Sequence, residues 1–166
     1  MTRRITTATS LGASTLSRPV VISLRPRFAD AILSGGKTVE LRRHRMAAPL
    51  GTLLIIYCSA PVMAVVGTVL LEERDTDTPT ALWRRYRDHM GLSRAEFREY
   101  LSGLAMATAL TLRDAQPLKA PLPLRDLRRD GLFQPPQSFR YLSPADPAAL
   151  QDLLGDSSRT PRSSRV

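Results

Sequence analysis

Within Lys37-Thr38-Val39-Glu40-Leu41-Arg42, directly after the pair Gly35-Gly36, an ammonium, a hydroxyl, a carboxylate and a guanidinium lie close together along the chain. Apolar and polar types alternate there, which reads as a half-buried strand whose polar face carries Thr38, Glu40 and Arg42 side by side. A lysine beside a carboxylate and hydroxyls can do acid/base or nucleophilic chemistry where desolvation lowers its pKa. The plainer reading is an ion pair on an exposed strand face, which contributes little. Two glycines and a lysine invite comparison with a phosphate-binding loop. That loop needs four residues between its glycines and a helix straight after Lys-Thr, whereas a strand follows here, so no nucleotide cofactor is expected. Arg42-Arg43-His44-Arg45 reads either as a solvated basic turn or as a source of phosphate contacts. His44 and His89 lack metal-ligand spacing, and Asp75 and Asp77 sit in a loop-like stretch, so no metal site is expected.

The elements that must hold these groups are legible around them. Val20-Val21-Ile22-Ser23-Leu24 is short, β-branched and bounded by Pro19 and Pro26, a strand signature. Phe28, Ile32 and Leu33 fall at helical spacing before the Gly35-Gly36 stop. Two apolar strands follow, Leu53-Leu54-Ile55-Ile56-Tyr57-Cys58 and residues 63–71, the second with Gly67 as a bulge or bend. Thr78 and Pro79 open a helix over residues 79–90, with Leu82, Trp83 and Tyr86 turned to the core and Arg84, Arg85 and Arg87 to solvent. Ser93-Arg94-Ala95-Glu96 is a capping box for a second helix whose apolar face is Phe97, Tyr100 and Leu101. Residues 106–112 read as a strand, after which Pro117, Pro121 and Pro123 argue against continuous sheet. A helical turn at residues 124–128 precedes a proline-fixed closing segment, residues 131–142. Met63, Met90 and Met106 are expected in the core.

The chain has 166 residues, which suits one domain with tails and excludes a large multi-domain enzyme. Its 24 basic against 15 acidic residues give a net charge of +9, and Lys37 and Lys119 are the only lysines. Such a balance favours polyanionic partners. Cys58 is the single cysteine, so intrachain disulfides and cysteine-cluster zinc sites are out and a reducing cytoplasm fits. Apolar runs are too short for a spanning helix, so no membrane partner is expected. The expected organisation is a disordered tail at residues 1–17, one domain at 18–145, and a short helix plus disordered tail at 146–166.

The segment Gly35-Gly36-Lys37-Thr38-Val39-Glu40-Leu41-Arg42 resembles the Gly-x-Lys-Thr-x-Glu-x-Arg motif of ASCH domains, PUA-like proteins predicted to bind RNA. The likeness runs over residues 19–142 and includes Ser23-Leu24-Arg25-Pro26, Ile55-Ile56-Tyr57-Cys58-Ser59-Ala60-Pro61-Val62, Val66-Gly67, and Pro135-Pro136-Gln137-Ser138-Phe139-Arg140-Tyr141-Leu142. It implies an α+β fold, a small, mostly antiparallel β-barrel with peripheral helices, and a cleft along residues 37–43. Around that cleft it places Lys37, Thr38, Glu40, Tyr57, Ser59 and Arg140. Arg25, Lys37, Arg42 and Arg43 would then meet phosphates, Tyr57, Phe139 or Tyr141 would stack, and Gln137 or Ser138 would bond a base edge.

The function so implied is binding of RNA or a modified nucleoside, without cofactor. As an enzyme the protein would use Lys37, Glu40 and Tyr57, and a metal-independent ribonuclease would set Lys37, Tyr57 and Ser59 on a 2′-hydroxyl and a phosphate. A related group, the acetylcytidine amidohydrolases, uses a lysine, a second threonine and a distant glutamate; Lys37 matches, while Glu40 and Met90 occupy the other two places. The helices within residues 82–103 also have the outline of a DNA-binding helix-turn-helix, which would make the protein a regulator.

Overall fold

A computed structural model of the chain describes residues 17–129 and 131–156. Residues 1–16 and 157–166, which hold most of the tails expected within 1–17 and 146–166, lie outside the described residues. The elements run β1 (Val20–Leu24), α1 (Pro26–Leu33), β2 (Val39–Arg42), β3 (Leu53–Cys58), β4 (Ala64–Asp77), α2 (Pro79–Tyr86), α3 (Arg94–Tyr100), β5 (Ala107–Pro123), α4 (Leu124–Arg129), β6 (Phe139–Tyr141) and α5 (Ala148–Asp156). The strands form one curled sheet, a half-barrel ordered β2-β5-β4-β3-β1-β6. The β1–β3 pair is parallel and the others are antiparallel.

Three apolar clusters explain why some strands read as uniformly apolar. Alternate residues of β1 and β3 face opposite ways: Val20, Ile22, Leu54 and Ile56 pack inside the half-barrel with Ile32 of α1, while Val21 and Ile55 meet Leu127, Phe133 and Leu150 outside it. Both faces of these strands are thus covered. On the far side, Val39 and Leu41 of β2 and Ala107 and Ala109 of β5 are roofed by Leu82 of α2 and by Phe97 and Leu101 near α3. Each large aliphatic or aromatic side chain so buried contributes roughly 1.5–3 kcal/mol.

Several boundaries differ from the sequence reading. β4 runs to Asp77 and β5 runs unbroken through its prolines to Pro123. The prolines are tolerated because β2 pairs with β5 only over residues 108–111, which leaves the later stretch as an edge paired on one side, and the β4–β5 register shifts three times. Gly67 sits at such a shift, and a Cβ there would lie 2.5 Å from a Leu33 methyl and 2.7 Å from the Gln116 carbonyl. Close packing of α1 on the bulge therefore demands glycine. Helix α2 stops at Tyr86. Met90 is buried, but Met63 and Met106 are exposed.

Candidate functional site

The sheet is open between its edge strands β2 and β6, and a cavity of about 790 Å³ lies where their ends meet. Its floor is β2 with its flanks, Lys37 before it and Arg43 and His44 after it, joined by Arg25 after β1, Ser59 after β3, and Gln137 and Ser138 before β6. Phe28 of α1 and the α3 side chains Glu96, Glu99 and Tyr100 complete the walls.

Lys37 is 2% exposed, and each of its ammonium hydrogens has a place to go. Nζ donates to the Val39 carbonyl at 2.9 Å and to the Met90 carbonyl, and lies 3.2 Å from Glu40 Oε2. The ring of Phe28 sits 5.2 Å below it. The Met90 loop is itself stitched to β2, because the His89 carbonyl accepts from the amides of Thr38 and Val39. Burial lowers the Lys37 pKa, and Glu40 partly restores it. Lys37 therefore fixes Glu40 and the loop, and has no free hydrogen for a ligand.

Arg42 is the opposite case. Its Nη1 donates to Ser138 Oγ at 3.2 Å and to the Ser138 carbonyl at 3.4 Å, bridging the two edge strands across the opening. Its Nη2 lies 3.5 Å from Glu40 Oε1, within ion-pair range. Yet Nε and Nη2 are buried with no hydrogen-bond partner among the described residues. These are the two parallel N–H groups of a guanidinium, the edge that takes two oxygens of one phosphate or carboxylate. An unmet charged donor is costly to keep buried. With Arg25, Lys37, Arg42 and Arg43 set against Glu40, Glu96 and Glu99, the cavity lining also carries one positive charge in excess.

Eight of the residues expected at the cleft line this cavity: Arg25, Lys37, Glu40, Arg42, Arg43, Ser59, Gln137 and Ser138. Three do not. Thr38 is exposed just ahead of β2, because the strand begins at Val39 and only Glu40 and Arg42 share its polar face. Tyr57 is 4% exposed and packs in the outer cluster with the Phe133 ring 6.2 Å away, where burial pushes its phenol pKa up. Arg140 is clamped by Asp146 through two bonds of 2.7 and 2.8 Å and by the Gln134 carbonyl. In the places matching the amidohydrolase threonine and glutamate, Glu40 is paired to Lys37 and Met90 is a core side chain with its carbonyl on Lys37. The α2–α3 pair is seated on β2 and β5, and α3 turns carboxylates to the cavity.

Comparison with known proteins agrees with this architecture. Residues 18–128 match a family model described as a domain of unknown function, DUF365. Over 137 residues the chain is 40% identical to a Zymomonas mobilis protein named an ASCH domain-containing ribonuclease, covering 82% of this chain and 92% of that one. The chain belongs to the ASCH family. The crystal structure of ASCH from Zymomonas mobilis superposes with a TM-score of 0.75 at 40% identity, over 83% of this chain and 94% of that one. At 12% identity and a TM-score of 0.52, the N-terminal domain of Staphylothermus marinus McrB shares the fold, over 87% of this chain and 96% of its own. No helix among the described residues is long and apolar enough to cross a membrane.

For this ASCH chain, sequence reasoning missed the α3 wall. Glu96, Glu99 and Tyr100 stand at i, i+3 and i+4, so they share one helix face, and that spacing was the available signal. The capping box accounted for Glu96 alone, and Tyr100 passed as core. Its ring instead borders the cavity, held by a 3.3 Å bond from its hydroxyl to the Leu41 carbonyl and by Arg43 on its own carbonyl.

Proposed function

We propose that the protein binds single-stranded RNA in this cavity and cleaves it. The observation that carries the reading is Arg42, an oriented guanidinium with two unmet parallel donors in a cavity that carries excess positive charge. A phosphodiester supplies what is missing there: a single negative charge and two free oxygens. The 40% identity to a relative named a ribonuclease supports RNA as the polymer and strand cleavage as the outcome.

In this mechanism Arg42 holds the scissile phosphate and stabilises the charge that grows on its oxygens. The 2′-hydroxyl oxygen attacks phosphorus, the P–O5′ bond breaks, and a 2′,3′-cyclic phosphate and a 5′-hydroxyl result. His44, which lines the cavity, takes the 2′-hydroxyl proton and passes it through a water to the 5′-oxygen as the P–O5′ bond breaks, so that no proton is gained or lost. Ser138 orients Arg42, while Lys37 acts as a positioning residue through Glu40.

The test is incubation with one RNA, the same sequence as DNA, and an RNA bearing a single 2′-deoxy residue, followed by mass spectrometry. The expected result is cyclic-phosphate ends from RNA, intact DNA, and no cut after the deoxy residue. Arg42→Lys, which keeps charge but loses the fork, is expected to slow cleavage about a hundredfold. Bound but uncut RNA would make the protein a recognition module, and unbound RNA would overturn the reading.

A further inference from the structure

Resting on the RNA reading above, we infer that Glu99 and Tyr100 form a base-reading wall in the cavity that selects guanine. Three carboxylates line the cavity, and two are already committed. Glu40 lies between Lys37 and Arg42. Glu96 spends one oxygen on Arg27 at 2.7 Å and the other on the amide of Ser93 at 2.8 Å. Glu99 is exposed, and among the described residues no protein donor is bonded to its carboxylate: only its backbone carbonyl accepts, from the amides of Leu101 and Ser102.

A carboxylate with two open oxygens asks for two parallel donors. Among the RNA bases only guanine offers them on its Watson–Crick edge, N1–H beside the N2 amine. Adenine, cytosine and uracil each set an acceptor next to their donor on that edge, and a carboxylate repels it. Tyr100 is the following residue, 39% exposed, and tethered at both its hydroxyl and its carbonyl, so its ring is a fixed surface on which a base can stack. The cavity also holds the independent anion receptor that a nucleotide requires, the unmet Nε and Nη2 of Arg42, whose side chain is 6% exposed. A guanine nucleotide therefore answers both unpartnered groups, with phosphate on Arg42 and the base edge on Glu99.

The experiment uses the full chain and uncleavable 2′-O-methyl oligouridylates carrying one central guanine, adenine or cytosine, read by fluorescence anisotropy. The central guanine is expected to tighten binding by about tenfold over the other bases. Glu99→Gln should erase that preference, so that the guanine-, adenine- and cytosine-containing strands bind alike. Inosine, which lacks the N2 amine, should lose most of the gain, whereas 7-deazaguanine, which keeps the Watson–Crick edge, should retain it. Equal binding of all bases, or guanine preference surviving in Glu99→Gln, overturns this inference and leaves the RNA reading standing. Failure to bind any of the oligonucleotides overturns both.

Discussion

Lys37, just ahead of β2, and Arg42, at its end, are both buried and have divided their work by the partners each has. The side chain of Lys37, 1% exposed, donates to two carbonyls and a carboxylate, so removing it orphans three acceptors at once. Lys37→Met is accordingly expected to cost about 3 kcal/mol of stability, read from urea unfolding. A loss below about 0.5 kcal/mol, the range of ordinary surface changes, would contradict the structural role. The type and spacing of these residues pointed to the site, and the strand alternation placed Glu40 and Arg42 together. Which cation is spent and which is open was not legible, because that depends on the Met90 carbonyl and on Ser138, 53 and 96 residues away from their partners.

Helix α3 has only seven residues, so its N-terminal cap matters more than it would in a long helix. Arg27 and the capping bonds with Ser93 hold the Glu96 carboxyl down to about 2, from an ordinary 4.5. A carboxyl whose folded value is depressed contributes stability that is complete above its unfolded value and is lost as pH falls through the folded one. Wild type should therefore be more stable than Glu96→Gln at neutral pH, and the gap should close as pH falls from 4.5 to about 2. Thermal melts across that range check this; a gap independent of pH would contradict it. The capping box was plain in the sequence because it is local. The course of β5 was not, since proline excludes a residue from central strands only, and edge status is set by where β2 ends.

At the scale of the molecule, the cavity exists because the sheet does not close. β2 and β6 leave a seam that Arg42 bridges to Ser138, and α3 stands over it. The barrel class and most strands could be read from periodicity and from the ASCH-like motifs, yet Tyr57 and Arg140 fall away from the seam. In the first case β3 turns alternate side chains to opposite faces, and in the second a nearby acid, Asp146, claims the guanidinium. The most direct test of this account is NMR of the arginine side chains, following the Nε–H signals as an uncleavable 2′-O-methyl RNA is added. The Arg42 Nε–H should shift more than that of any other arginine, saturate with the binding curve, and disappear from the spectrum in Arg42→Lys together with the affinity. RNA that binds while the Arg42 signal stays in place would show that the polymer lies elsewhere on the molecule and would contradict the assignment of the cavity.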